Sequence, residues 1–184
     1  MSTQRKQAPG ALELVRAFVN TLDLEEGTDA IATSDGLAAW LREAGLSSSG
    51  AVDAGDVARA AGVREAFRDL LLANNEGTAP SRDAAATLDA TAARAGLRLR
   101  VGADGQAALV SGAAGLDGAL GALLVVTYRA MESGSWRRLK ACRNDTCRWA
   151  FYDHSRNHSG HWCSMSVCGN RLKVQAYRAR RASG

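Results

Sequence analysis

The chain has 184 residues, of which 46% are hydrophobic and 23% charged, the composition of a globular protein with a buried core. No apolar run reaches about 18 residues, so no membrane span is expected, and the opening MSTQRKQAPGALELVRAF lacks the apolar block of a secretory signal, which points to the cytoplasm. The net charge of +4 conceals a division: residues 137–184 carry eleven Lys/Arg against two acids, +9, while residues 1–136 carry twelve against seventeen, −5. A basic tail on a mildly acidic body suits an anionic partner, nucleic acid first.

In chain order, ALELVRAFVNTLD sets Leu12, Val15, Phe18, Val19 and Leu22 at the spacing of one buried helix face. LEEGTDA follows as an acidic loop. SDGLAAWLREAG restarts a helix with Ser34 or Asp35 as N-cap and Leu37, Trp40 and Leu41 facing inward. DVARAAGVREAFRDLLLANNEG predicts another, with Val63, Phe67, Leu70 and Leu71 on one side and Gly77 near its end. PSRDAAATLDATAARAG has Pro80 and Ser81 at its start and Gly96 at its stop. The period then changes: LRLRV alternates, GADG turns and QAALVS follows, predicting a β-hairpin over roughly 97–111. GLDGALGALLVVTYRAMES returns to a long apolar helix, and SGS at 133–135 reads as a short hinge. Asn20 falls off the stripe of the first helix, which predicts solvent exposure or local capping.

All four cysteines and all three histidines fall within 142–168. The spacing is Cys-x4-Cys, fifteen residues, then Cys-x4-Cys, and two close thiolate pairs can surround a tetrahedral Zn²⁺. A thioredoxin-like pair would want Cys-x2-Cys, and a disulfide conflicts with the cytoplasm. A site using His161 in place of one cysteine stays open. Between the pairs, RWAFYD predicts a short strand with Trp149 and Phe151 on one face and Tyr152 on the other. SMSVCGNRLKVQAYRARR predicts a helix with Cys168 near its start, so the unit reads as a treble-clef-like finger ending in a helix. A unit this small would draw much of its folding energy from metal.

WCSMSVCGNRLK, preceded by FYDHSRN, resembles the CGNR zinc-finger family, with Cys168-Gly169-Asn170-Arg171 as its tetrapeptide. FVNTLD, the Trp40-Leu41 segment and VREAFRDLLLA resemble the ABATE-type domain that precedes such fingers in bacterial proteins. The resemblance implies a transcription regulator: a helical ABATE-like domain over 1–135 that senses, and a finger over 136–184 that binds DNA. It implies one structural zinc on Cys142, Cys147, Cys163 and Cys168. Where family members carry two basic residues before the Trp-Cys, this chain has Gly160-His161.

On a helical wheel Arg171 and Arg178 flank one side of the Leu172/Ala176/Ala179 strip, and Lys173 and Arg180 the other. These, with Arg181, are the candidate phosphate contacts of the tail, joined by Arg143, Arg148 and Arg156; Gln175 is the candidate for a base edge. Asn170 is expected to brace the knuckle backbone. One finger covers few base pairs, so a homodimer or partner is expected. Asn20, Thr21 and Trp40 are the first candidates for an effector pocket between helices. The metal is read as non-catalytic and the protein as no enzyme. The rivals are a protein-interaction module, with the arginines meeting an acidic protein surface, and a nuclease using His154, Asn157, His158 and Asn170.

Overall fold

A computed structural model describes residues 7–46 and 50–170. The elements, in order, are α1 (Leu12–Val19), β1 (Leu22–Asp23), β2 (Thr28–Asp29), α2 (Ser34–Glu43), α3 (Ala54–Glu76), α4 (Arg82–Arg94), β3 (Arg98–Val101), β4 (Ala107–Val110), α5 (Gly115–Glu132), β5 (Leu139–Ala141) and β6 (Ala150–Tyr152). A 3₁₀ turn, Ser135–Arg138, joins α5 to β5, and a π-helical turn, Met165–Gly169, follows β6. The strands form three separate antiparallel hairpins, β1–β2, β3–β4 and β5–β6. The predicted mainly helical body, with its hairpin near 97–111, is what the chain forms.

Helix α3 is the axis of the molecule. Its 23 residues span about 34 Å. Asp53 and Asp56 close a reciprocal capping box at its start, and Gly77, with φ of +73°, takes the left-handed turn at its end. It packs against α1, α2, α4, α5 and β5. Helix α1 delivers Val15, Phe18 and Val19 to full burial, and the Phe18 ring meets Trp40 at 5.2 Å and Phe67 edge-on at 6.3 Å. Helix α2 adds Leu37 and Leu41, α3 adds Phe67 and Leu71, and α5 adds Leu123, all buried.

Some local expectations are corrected. Thr33, not Ser34 or Asp35, caps α2, its hydroxyl accepting from Gly36 N at 3.1 Å. The residue at that N–H must be small, since a Cβ on Gly36 would lie 2.4 Å from Ala30 O. The acidic loop after α1 pairs as β1–β2, drawing Leu22 out of the helix. The SGS segment is not a free joint: Ser133 and Ser135 both donate to Ala130 O, and the next residue, Trp136, is buried.

The chain passes residue 136 without leaving the core. Trp136, Leu139, Ala141, Ala150 and Tyr152 belong to the same apolar cluster as α1, α2, α3 and α5. Every residue of β5 and β6 is buried. Trp149 is half-buried and packs on the cysteine cluster, whereas Phe151 and Tyr152 are both buried on the strand.

Candidate metal centre

The β5–β6 hairpin delivers the first cysteine pair. Its ladder runs one rung past Ala141–Ala150, with Cys142 N donating to Trp149 O at 2.9 Å. The turn beyond is folded by Asn144, whose carbonyl accepts from Cys147 N and Arg148 N, both at 2.9 Å. Arg148 takes φ of +51° to close it. Of the second pair, Cys168 is carried by the π-helical turn and Cys163 lies just ahead of it, and Gly169 N donates to Ser164 O at 3.1 Å.

The two pairs meet. Cys163 Sγ lies 3.6 Å from the sulfurs of Cys147 and of Cys168, and all four sulfurs lie within 4.8 Å of one another. A tetrahedron of Zn–S bonds of about 2.3 Å sets its sulfurs about 3.8 Å apart, so the spacing and the donor set both suit Zn²⁺. Thiols so close perturb one another. Hydrogen bonds from Cys147 and Cys163 lower Cys142 to about 2, and the same bonds push Cys147 up to about 12 and Cys163 up as well. Four thiolates need a cation among them, and a divalent metal answers that need while releasing protons. Asn144, 4% exposed, donates Nδ2 to Cys168 Sγ at 3.7 Å. Its Oδ1 is fixed by Thr146 N and Oγ1, the kind of support that orients a metal ligand. Among the described residues no other group of Cys, His, Asp and Glu gathers closely enough to hold a metal.

A ring of polar contacts fastens this centre to the helical body, and sequence reasoning did not find it. Asn20 Nδ2 donates to Ala150 O at 2.9 Å and Asn20 Oδ1 accepts from Ala150 N at 2.7 Å, so this residue extends the β6 edge rather than facing solvent. Asn74 donates to Trp136 O and Leu139 O, and Asn75 to Ala141 O and His161 O. Lys140, itself buried, donates to Asp153 Oδ2 at 2.8 Å and to the carbonyls of His158 and Gly160. A Cβ on Gly160 would lie 2.9 Å from the carboxylate that Lys140 pins, so only glycine fits there. The Asn-Asn pair closing an apolar helix was the available signal, but nothing local names its partners.

The other predicted site residues separate. Thr21 is buried, donating to Phe18 O and accepting from Arg64, whose guanidinium pairs with Asp29 at 2.7 Å; Trp40 lies on Phe18. These two and Asn20 therefore serve packing and docking. His161 Nδ1 donates to Asn75 Oδ1 at 2.8 Å, and burial first, then Arg143 and Lys140, lowers its pKa. His154 Nε2 pairs with Gln7 O, and the His158 carbonyl serves Lys140. Asn170 donates to Ser166 O at 3.4 Å. Arg143 reaches Asn75 O at 2.5 Å, and Arg148 pairs with Asp145. Arg156 is exposed. Arg171, Lys173, Gln175, Arg178, Arg180 and Arg181, with the helix expected there, lie outside the described residues.

A helical body carrying a four-cysteine zinc site at its C-terminal end defines a zinc-finger protein. Comparison with known families gives two matches in that order: residues 12–132 match ABATE, described as "Putative stress-induced transcription regulator", and residues 138–181 match the CGNR zinc finger. The chain belongs to the ABATE family and carries a CGNR zinc finger with a single structural zinc. No curated protein matches it. No helix among the described residues is long and apolar enough to cross a membrane.

Proposed function

We propose that the protein is a cytoplasmic, nucleoid-associated transcription regulator that binds DNA through its C-terminal end. The observation that carries this reading is the charge division: net +9 over residues 137–184 against −5 over the rest. The zinc is structural and not catalytic in this reading, because four sulfur ligands leave no position for a substrate. Arg143 is committed to Asn75 O and Arg148 to Asp145, which leaves phosphate contact to Arg156 and the tail cations Arg171, Lys173, Arg178, Arg180 and Arg181. Gln175 remains the candidate for a base edge.

The helical domain is the sensing part of this proposal. A cavity of about 290 Å³ opens between α3, α4 and α5, walled by Val63, Thr91 and Leu120 with Arg59, Arg94 and Asp117 at its rim. It suits an effector better than Asn20, Thr21 and Trp40, whose side chains are already engaged. For a homodimer, β3–β4 offers an apolar surface, with Leu99 and Val101 68% and 64% exposed.

The test is DNA affinity of the full chain against salt concentration. With about six phosphates neutralised, log affinity falls with log salt at a slope near −5. Arg178→Ala weakens binding to every sequence and flattens the slope by about one unit, while Arg143→Ala leaves the slope unchanged. Gln175→Ala relaxes specificity at one position. No binding at low salt, or capture of a protein partner that survives DNase, contradicts the reading.

A further inference from the structure

Helix α3 ends against the metal centre, and one side chain makes the connection. Asn75 is 4% exposed. Its Nδ2 donates to Ala141 O at 2.7 Å and to His161 O at 3.0 Å, and its Oδ1 accepts from His161 Nδ1 at 2.8 Å. Its own carbonyl accepts from Arg143 at 2.5 Å. Ala141 and Arg143 flank Cys142, and His161 stands two residues before Cys163. A single residue of the helical body therefore grips both stretches of chain that bring cysteines to the centre, one from each pair. Arg143 N also donates to His161 O at 3.2 Å, so the two stretches are joined at the same point. Asn74, on the same turn of α3, holds only Trp136 and Leu139, upstream of the cysteines.

We propose that Asn75 is a positioning residue for the metal centre, through which metal retention and the order of the last turn of α3 depend on each other. A four-sulfur site tolerates little change in the distance between its halves, and Asn75 sets that distance from the body. Any coupling of this kind is reciprocal: what steadies α3 slows metal loss, and metal loss loosens the end of α3. The inference rests on the zinc assignment and not on DNA binding, so it stands or falls separately from the regulator reading.

The experiment follows zinc release from the full-length protein into an excess of a chromogenic chelator, alongside hydrogen exchange with and without zinc. Asn75→Ala releases zinc about tenfold faster or more, the usual scale for losing a group that orients metal ligands. His161→Ala, which leaves α3 intact, accelerates release by a smaller factor. Asn74→Ala, which also removes two bonds between α3 and the hairpin, stays within about twofold of wild type. Stripping zinc from wild type loosens the Gly77 amide, bonded to Ala73 O, and leaves α1 protected. A wild-type release rate in folded Asn75→Ala overturns the proposal, as does equal acceleration by Asn74→Ala. If Asn75→Ala does not fold, an unchanged rate in His161→Ala overturns it alone.

Discussion

Two of the hairpins have nearly the same size and opposite fates. In β3–β4 the register sets Leu99 opposite Leu109 and Val101 opposite Ala107, an apolar row on one face, yet Leu99 and Val101 stand open to solvent. In β5–β6 every residue is buried, including the charged Lys140. Alternation in LRLRV correctly predicted a strand but carries no information on whether anything covers its apolar side. LKA and AFY are too short for alternation to show what covers them, and they lie at the centre of the fold because α3 packs on β5 and α1 on β6. Burial of a short hairpin is thus decided by its neighbours, and here it makes the helical domain the seat of the finger.

That contrast yields predictions of falling size, all readable by denaturant unfolding. Asp153→Asn removes one partner of a buried ion pair and leaves Lys140 uncompensated, for a loss of about 3–5 kcal/mol. Burial alone raises the Asp153 carboxyl, but Lys140 and the donors at Ser155 and Gly160 outweigh it and hold it well below the ordinary carboxylate range. A depressed folded value means that this stabilisation is complete above about pH 4 and is lost as pH falls below it. The Asp153→Asn protein lacks that part of the acid dependence; an unchanged acid limb would break the assignment.

Leu139→Ala, at a fully buried position, costs about 2–5 kcal/mol, whereas Leu99→Ala on the open hairpin stays within about 0.5 kcal/mol at dilutions where the chain is a monomer. Equal costs would mean that a partner surface covers β3–β4 in solution. Asn20→Ala leaves the Ala150 N–H and C=O without their partner, for about 1–3 kcal/mol. A loss no larger than at an exposed helix position would show that the contact with β6 is not maintained.

The parts of the molecule that sequence made legible are the local ones. Helix stops at Gly77 and Gly96, the start at Ser81 and the apolar faces of α1 and α3 all follow from neighbours within a few residues. The cysteine site was equally open to reading, because ligand chemistry and spacing survive ignorance of the fold. Thr33 was missed as a cap because Ser34 and Asp35 offer the same chemistry one and two residues on. The larger omissions are Asn20, Asn74, Asn75 and Lys140. Three of these meet backbone 62 to 130 residues away, and no periodicity records a partner at that distance. A wheel places Asn20 only relative to its own helix, which predicts solvent exposure or local capping, whereas its partner comes from β6.

The central claim is a zinc site of four cysteines seated on a hairpin inside the helical core. The most direct measurement is metal content of the full chain, freshly prepared in reducing buffer, with thiol titration before and after chelation. The account predicts one zinc per chain, four thiols shielded until the metal is withdrawn, and loss of zinc in Cys168→Ser. Protein free of zinc with four freely reactive thiols would contradict it.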